Sequence, residues 1–262
     1  TLTKRKIERV YVTSFDQVLG HTIKQAKQQP VMINYSLPGN RRKLQKQLDR
    51  SDLELISKID NLKIDTWIPC ERMMEGKETR RNDSIGLTHV HHFYSKRNLI
   101  ILSMIRERCK DNHQALLMFN SQLINVSKLN RYRPGVSFPY NPLSGTMYVG
   151  SQISEANVFT AFHNKIKKIV NAFKKLPSYS LLSTMSTADL DGFKADYVFI
   201  DPPFGANLNY SELSSLWEYW LKARTNNLNE AIINSSQGKG INEYRQLMVE
   251  CFKKAYEVTK PG

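Results

Sequence analysis

The chain has 262 residues, 40% hydrophobic and 10% aromatic, which is enough apolar material for a full-sized core and excludes a disordered composition. Its 38 Lys and Arg against 24 Asp and Glu leave a formal charge of +14, which argues against an ordinary near-neutral metabolic enzyme and for a polyanionic partner, nucleic acid ahead of membrane. Cys70, Cys109 and Cys251 form no C-x-x-C pair, which argues against a zinc knuckle or disulfide framework and suits a reducing, cytoplasmic setting, and no apolar run nears the roughly 18 residues of a membrane span.

The first 85 residues are polar and broken, and read as an extension or linking subdomain. They hold an amphipathic stretch from Phe15 to Gln28, a strand-like Val31 to Tyr35 and a basic run Arg41-Arg42-Lys43. A helix is predicted over Ser51 to Asn61, with Ser51 as cap and Glu54 completing a capping box. Thr66 to Asp83, charged and aperiodic, reads as a surface loop. From Gly86 to Gly262 helix-length and strand-length segments alternate, the pattern of an α/β domain with a mostly parallel sheet. Helices are predicted over Asn98 to Cys109, Asn157 to Lys175, Tyr210 to Lys222 and Asn242 to Val258. Strands are predicted at Ala115 to Phe119, Thr146 to Gly150, Tyr179 to Met185 and Tyr197 to Ile200. The final Lys260-Pro261-Gly262 reads as a helix exit with a strand to follow, and the opening Thr1 to Lys6, without a Met, as the cut end of a longer protein.

The chemistry is concentrated where strand Tyr197 to Ile200 runs into Asp201-Pro202-Pro203-Phe204-Gly205. Ligands of open α/β sheets bind outside the carboxyl ends of the strands, so an acid at that edge stands where it can touch one. Two prolines remove two amide donors and leave carbonyl oxygens unclaimed, Asp201 adds a carboxylate, and Phe204 adds a flat ring. Such a group suits a planar heterocycle bearing an exocyclic amine.

Asp-Pro-Pro-Phe at a strand end resembles motif IV of the amino-methyltransferases of DNA, and the longer string DPPFGANLNYSELSSLWEYWL is similar to the N4/N6 DNA-methylase group, in particular its large bacterial members. The resemblance implies a Rossmann-like, three-layer methyltransferase fold, here incomplete, over 86–262. It also implies methyl transfer from S-adenosylmethionine to the N6 amino group of adenine in DNA, within a modification system. Asp201 and Pro202 are then the acceptors for the amine, Phe204 stacks on the flipped base, and Pro203 completes the catalytic turn.

For the methyl donor the resemblance nominates Asp189, after the Leu181 to Met185 strand, and Phe93 and Tyr94, opening a helix like motif X. Glu155 is nominated separately, from the position that holds a ribose-binding acid in a Rossmann-like fold. No glycine follows Ala115 to Phe119, so a glycine-rich donor-binding segment is expected upstream in the same protein, and the chain alone is not expected to catalyse. His89, His91 and His92 lack an acid or cysteine at ligand spacing, so no metal is expected. DNA contact is expected from Lys165, Lys167, Lys168, Lys174, Lys175, Arg131-Tyr132-Arg133 and the Arg41 run, with Asn234 to Gly240 as a flexible lid or base-edge reader. The alternatives are an RNA or protein amide methyltransferase, or a non-catalytic, donor-site-deficient DNA-binding module of a defence complex.

Overall fold

The computed structural model describes residues 9–39, 44–133, 142–174 and 181–261. Within these, β1 (Tyr11–Asp16) pairs antiparallel with β2 (His21–Ala26), and β3 (Met32–Tyr35) with β4 (Leu44–Gln47). Six helices follow: α1 (Arg50–Asp60), α2 (Lys96–Cys109), α3 (His113–Asn120), α4 (Val158–Phe173), α5 (Tyr210–Leu221) and α6 (Ile241–Val258). None of the described helices is long and apolar enough to cross a membrane.

The expected three-layer fold with a mostly parallel sheet is not what forms: the described residues hold only the two small antiparallel hairpins. The reason differs at each predicted strand. Ala115 to Phe119 lies in helix α3, where Asn112 caps by accepting from the Ala115 amide; Ala, Leu and Met favour a helix once a cap opens it. Thr146 to Gly150 forms no strand, and side chains bond its backbone in place of a neighbouring strand. Glu78 accepts from the Met147 amide, while Asn82 accepts from the Val149 amide and donates to the Met147 carbonyl. Of Tyr179 to Met185, the first two residues lie outside the described set, and Leu181 and Leu182 are almost fully exposed. Tyr197 to Ile200 forms no ladder among the described residues, and the one parallel bridge nearby, Ala195 to Thr259, stands just before it.

The core is built by helices and by Thr66 to Asp83, which is no surface loop: it buries Ile68, Met73, Glu78, Thr79 and Asn82. Trp220 of α5 is the hub, fully buried and edge-on to Trp67, Tyr94 and Phe119 at 6.1, 5.8 and 5.4 Å. Its indole N–H donates to Tyr94 Oη at 3.1 Å, and its carbonyl accepts from Arg106 of α2 at 2.8 Å, so the rings pack without stranding a polar atom. The β1–β2 hairpin is fastened to this body. Gln25 donates to the Gly86 carbonyl and Tyr11 to that of Ser84. Gly86 has φ +79°, and a Cβ there would lie 2.2 Å from the Lys24 carbonyl oxygen, so only glycine fits.

One acid is buried within a cradle of amides. Glu212 of α5 accepts from the amides of Glu78 and Thr79 (2.6 and 3.2 Å) and from the Asn234 side chain (3.0 Å). A Cβ on Gly76 would stand 2.2 Å from the Glu212 carboxyl carbon. Glu212→Ala strands three buried donors and is expected to lower stability by about 3 kcal/mol, with Glu212→Gln costing less because one oxygen remains. Gly76→Ala is expected to destabilise by displacing the same carboxylate. Urea unfolding midpoints check the order, with Glu212→Ala the least stable and Glu212→Gln nearest to wild type; equal midpoints for wild type and Glu212→Ala would refute the cradle.

Candidate functional site

Asp201 to Gly205 lies at the surface, between Tyr197 to Ile200 and α5. Its two sides are treated differently. The Pro203 carbonyl accepts from the Tyr244 hydroxyl of α6 at 2.8 Å, the Phe204 carbonyl from the Asn207 amide at 3.0 Å, and the Gly205 carbonyl from the Ile233 amide at 3.0 Å. Among the described residues nothing donates to the Asp201 carboxylate or the Pro202 carbonyl, and the Phe204 ring is 72% exposed. The turn thus leaves the Asp201 carboxylate and the Pro202 carbonyl unengaged and the Phe204 ring exposed, while the carbonyls of Pro203, Phe204 and Gly205 are held. Sequence reasoning found the turn and missed both Tyr244 and Ile233, since neither carries a local signal of its reach across the fold.

Helix α6 carries the supporting face. Tyr244, Leu247, Met248, Cys251, Ala255 and Val258 recur every three or four residues and are covered to varying degrees. The 3-10 turn Thr187–Asp189 packs on the same helix. Below it the Ala195 amide donates to the Val258 carbonyl, the Lys260 amide donates to the Ala195 carbonyl, and Lys260 pairs with Asp196 at 2.6 Å.

The residues expected to hold S-adenosylmethionine are not brought together. Phe93 and Tyr94 are core side chains, and burial pushes the Tyr94 phenol far above its ordinary value. Glu155 is held by the Arg97 guanidinium through two hydrogen bonds, of 2.8 and 2.5 Å. Asp189 is exposed beside α6. These four do not fit a donor pocket, since two would have to leave the core and a third to abandon its guanidinium.

Asn234 to Gly240 is an anchored hub rather than a flexible lid. Asn234 exchanges backbone hydrogen bonds with Lys239. Lys239 is buried, donating to the carbonyls of Asn227 and Glu230 and to Gln237. Of the basic residues, Lys167, Lys168 and Lys174 are exposed and Lys165 is half-buried, whereas Arg131 bridges Ile153. Lys175 and Arg41-Arg42-Lys43 lie outside the described residues.

The histidine cluster has an acid after all, delivered from 75 residues away by the β1–β2 hairpin. Asp16 Oδ2 accepts from Nε2 of both His91 and His92 at 2.9 Å, and Oδ1 from the amides of Val18 and Leu19. One acid and two imidazoles suit a divalent cation by type, and their ligand atoms lie within 4.8 Å of one another. The hydrogen bonds oppose it: His92 Nδ1 accepts from the amides of Thr88 and His89, so its proton sits on Nε2, where a metal would need the lone pair. The cluster is therefore a charge-assisted clamp for the hairpin. The signal for it lay in the Asp16 to Gly20 spacing, a tight turn closed by the Gly20 amide on the Asp16 carbonyl. Comparison with family models, curated proteins and solved structures gives no match for the chain.

Burial alone would raise the Asp16 carboxyl, but hydrogen bonds from His91 and His92 outweigh it and hold the group far below the usual carboxylate range. Burial, then the like charge of the neighbouring rings, lowers His89 to about 4, and burial also lowers His92 despite Asp16. Histidines depressed in the folded state are protonated first in the unfolded chain, which therefore binds more protons from about pH 6.5 downward. Stability is expected to fall as pH drops from about 6.5 toward 4, with Asp16 withdrawing its share only at still lower pH. Thermal melts should lose roughly 2–4 °C or more between pH 7 and 5, and His89→Asn should flatten that slope. A melting temperature constant over this range would refute the depression of these buried histidines.

Proposed function

We propose that this chain binds DNA and holds an adenine amino group at Asp201-Pro202-Pro203-Phe204, the target-base side of an N6 amino-methyltransferase. The reading is carried by one observation: the Asp201 carboxylate and Pro202 carbonyl are unengaged among the described residues, while the neighbouring Pro203 and Gly205 carbonyls are satisfied from behind. An adenine amine has two hydrogens to donate, and a carboxylate plus a carbonyl accept both. Phe204 supplies the stacking surface for a base taken out of a duplex. The +14 charge supports a nucleic-acid partner and gives affinity without sequence choice.

The methyl donor is S-adenosylmethionine in this reading, supplying an electrophilic methyl group. The chain's own part is to bind the base, orient its amine and draw electron density toward nitrogen through Asp201 and Pro202. Because Phe93, Tyr94 and Glu155 are committed elsewhere, a second reading has support: base capture without methyl transfer by these residues alone.

The two readings share a test that needs no catalysis. A single-stranded oligonucleotide with one adenine is compared with its counterpart in which purine, lacking the amine, replaces that base, by fluorescence anisotropy at fixed salt. The adenine oligonucleotide is expected to bind about tenfold tighter, Asp201→Ala to erase the difference, and Phe204→Ala to weaken both oligonucleotides alike. Equal affinity for the two oligonucleotides in the wild-type chain would exclude the base-binding role. A tritiated-methyl assay across DNA, RNA and protein then separates transfer from capture.

A further inference from the structure

We infer that Tyr244 is a positioning residue for the base-binding turn, setting the angle between its acceptors and its stacking ring; the inference rests on the base-binding reading. Proline fixes φ at 202 and 203 but leaves ψ open, so the Pro203–Phe204 peptide plane is the least determined part of the turn. That plane decides where the Phe204 ring stands relative to the Pro202 carbonyl. The turn has few means of fixing it from within, since both prolines lack an amide hydrogen and its own bond, Asn207 to Phe204, lies one peptide further on.

Tyr244 supplies the missing hold, its hydroxyl donating to the Pro203 carbonyl at 2.8 Å. The residue is half-buried near the start of α6, on the face packed against the preceding chain, so the hydroxyl is aimed by a helix rather than by a loop. On the far side of Phe204 the Ile233 amide holds the Gly205 carbonyl at 3.0 Å, with Gly205 at φ +55°, where glycine is favoured. The aromatic ring therefore sits between two fixed peptide planes, one set by a side chain and one by the backbone. Tyr244 also engages the Pro203 carbonyl, which leaves the Asp201 carboxylate and the Pro202 carbonyl as the unengaged acceptors beside the ring.

The test uses the full chain and the adenine and purine oligonucleotides, with Tyr244→Phe and Tyr244→Ala. Both variants are expected to lose about fivefold of the adenine-over-purine discrimination, the scale of one hydrogen bond, with affinity for the purine oligonucleotide unchanged. Tyr244→Phe is expected to retain the wild-type melting temperature, a readout separating positioning from support of the fold. Tyr244→Phe with full discrimination beside an impaired Tyr244→Ala would show that ring packing, not the hydroxyl, matters, and would overturn the inference while leaving base binding intact. A wild-type chain without discrimination overturns both.

Discussion

The Glu212 carboxylate ties together the three stretches of chain on which the candidate site rests. It takes the amides of Glu78 and Thr79 from one stretch, the Asn234 side chain from another, and belongs itself to α5, whose first turn follows the Asp201 turn. No ion pair is made by Glu212 among the described residues, so dipoles rather than a cation compensate the burial. Dipole compensation is directional, and a carboxylate satisfied this way tolerates only one arrangement of its donors. Asn234 is next to Ile233, whose amide holds Gly205, so the same grip that orders the core also orders the back of the turn.

Substitution of side chains for strand partners recurs through the molecule and explains how the fold differs from an α/β reading. Glu78 and Asn82 satisfy the backbone of Met147 and Val149 as a neighbouring strand would, using a carboxylate and an amide from an irregular segment. Burial tends to raise the Glu78 carboxyl, and hydrogen bonds from Thr146, Met147 and Arg81 more than offset that, holding it below its usual value. Each such contact fixes one or two backbone groups, whereas a ladder fixes a whole strand; the result is a core that depends on a few buried polar side chains.

What could be read from the sequence follows from the range of the signal. Helices α2, α4, α5 and α6 were legible because caps and apolar spacing are local, and the α1 cap lies two residues earlier than expected because Asp49 and Asp52, not Ser51 and Glu54, form its capping box. Strands were not legible in the same way: an apolar run becomes a strand only when another segment lies beside it, and Ala115 to Phe119 found a helix cap instead. Asp201 to Phe204 stood out by composition alone. Tyr244 and Asp16 did not, since each acts across a sequence gap of tens of residues, 41 for Tyr244 to Pro203. Glu212 had a recoverable signal: it shares the stripe of Leu216, Tyr219 and Trp220, and an acid on the apolar face of a helix must be satisfied by something.

The placement of Asp201 to Phe204 therefore depends on helices where a sheet edge was expected. Tyr197 and Phe199 extend outward, largely exposed, and fix nothing. Order enters the segment from its two ends, at Ala195 through the backbone past Val258, and at Pro203 through Tyr244. Both anchors belong to the same helix or its exit, and 14 residues separate Tyr244 from Val258, so α6 spans the segment like a splint about 21 Å long at 1.5 Å per residue. A splint of this kind registers the two ends of the segment against one helix. The acceptors at Asp201 and Pro202 stand next to the Pro203 anchor, where the backbone is held by a helix side chain rather than by a ladder beneath them.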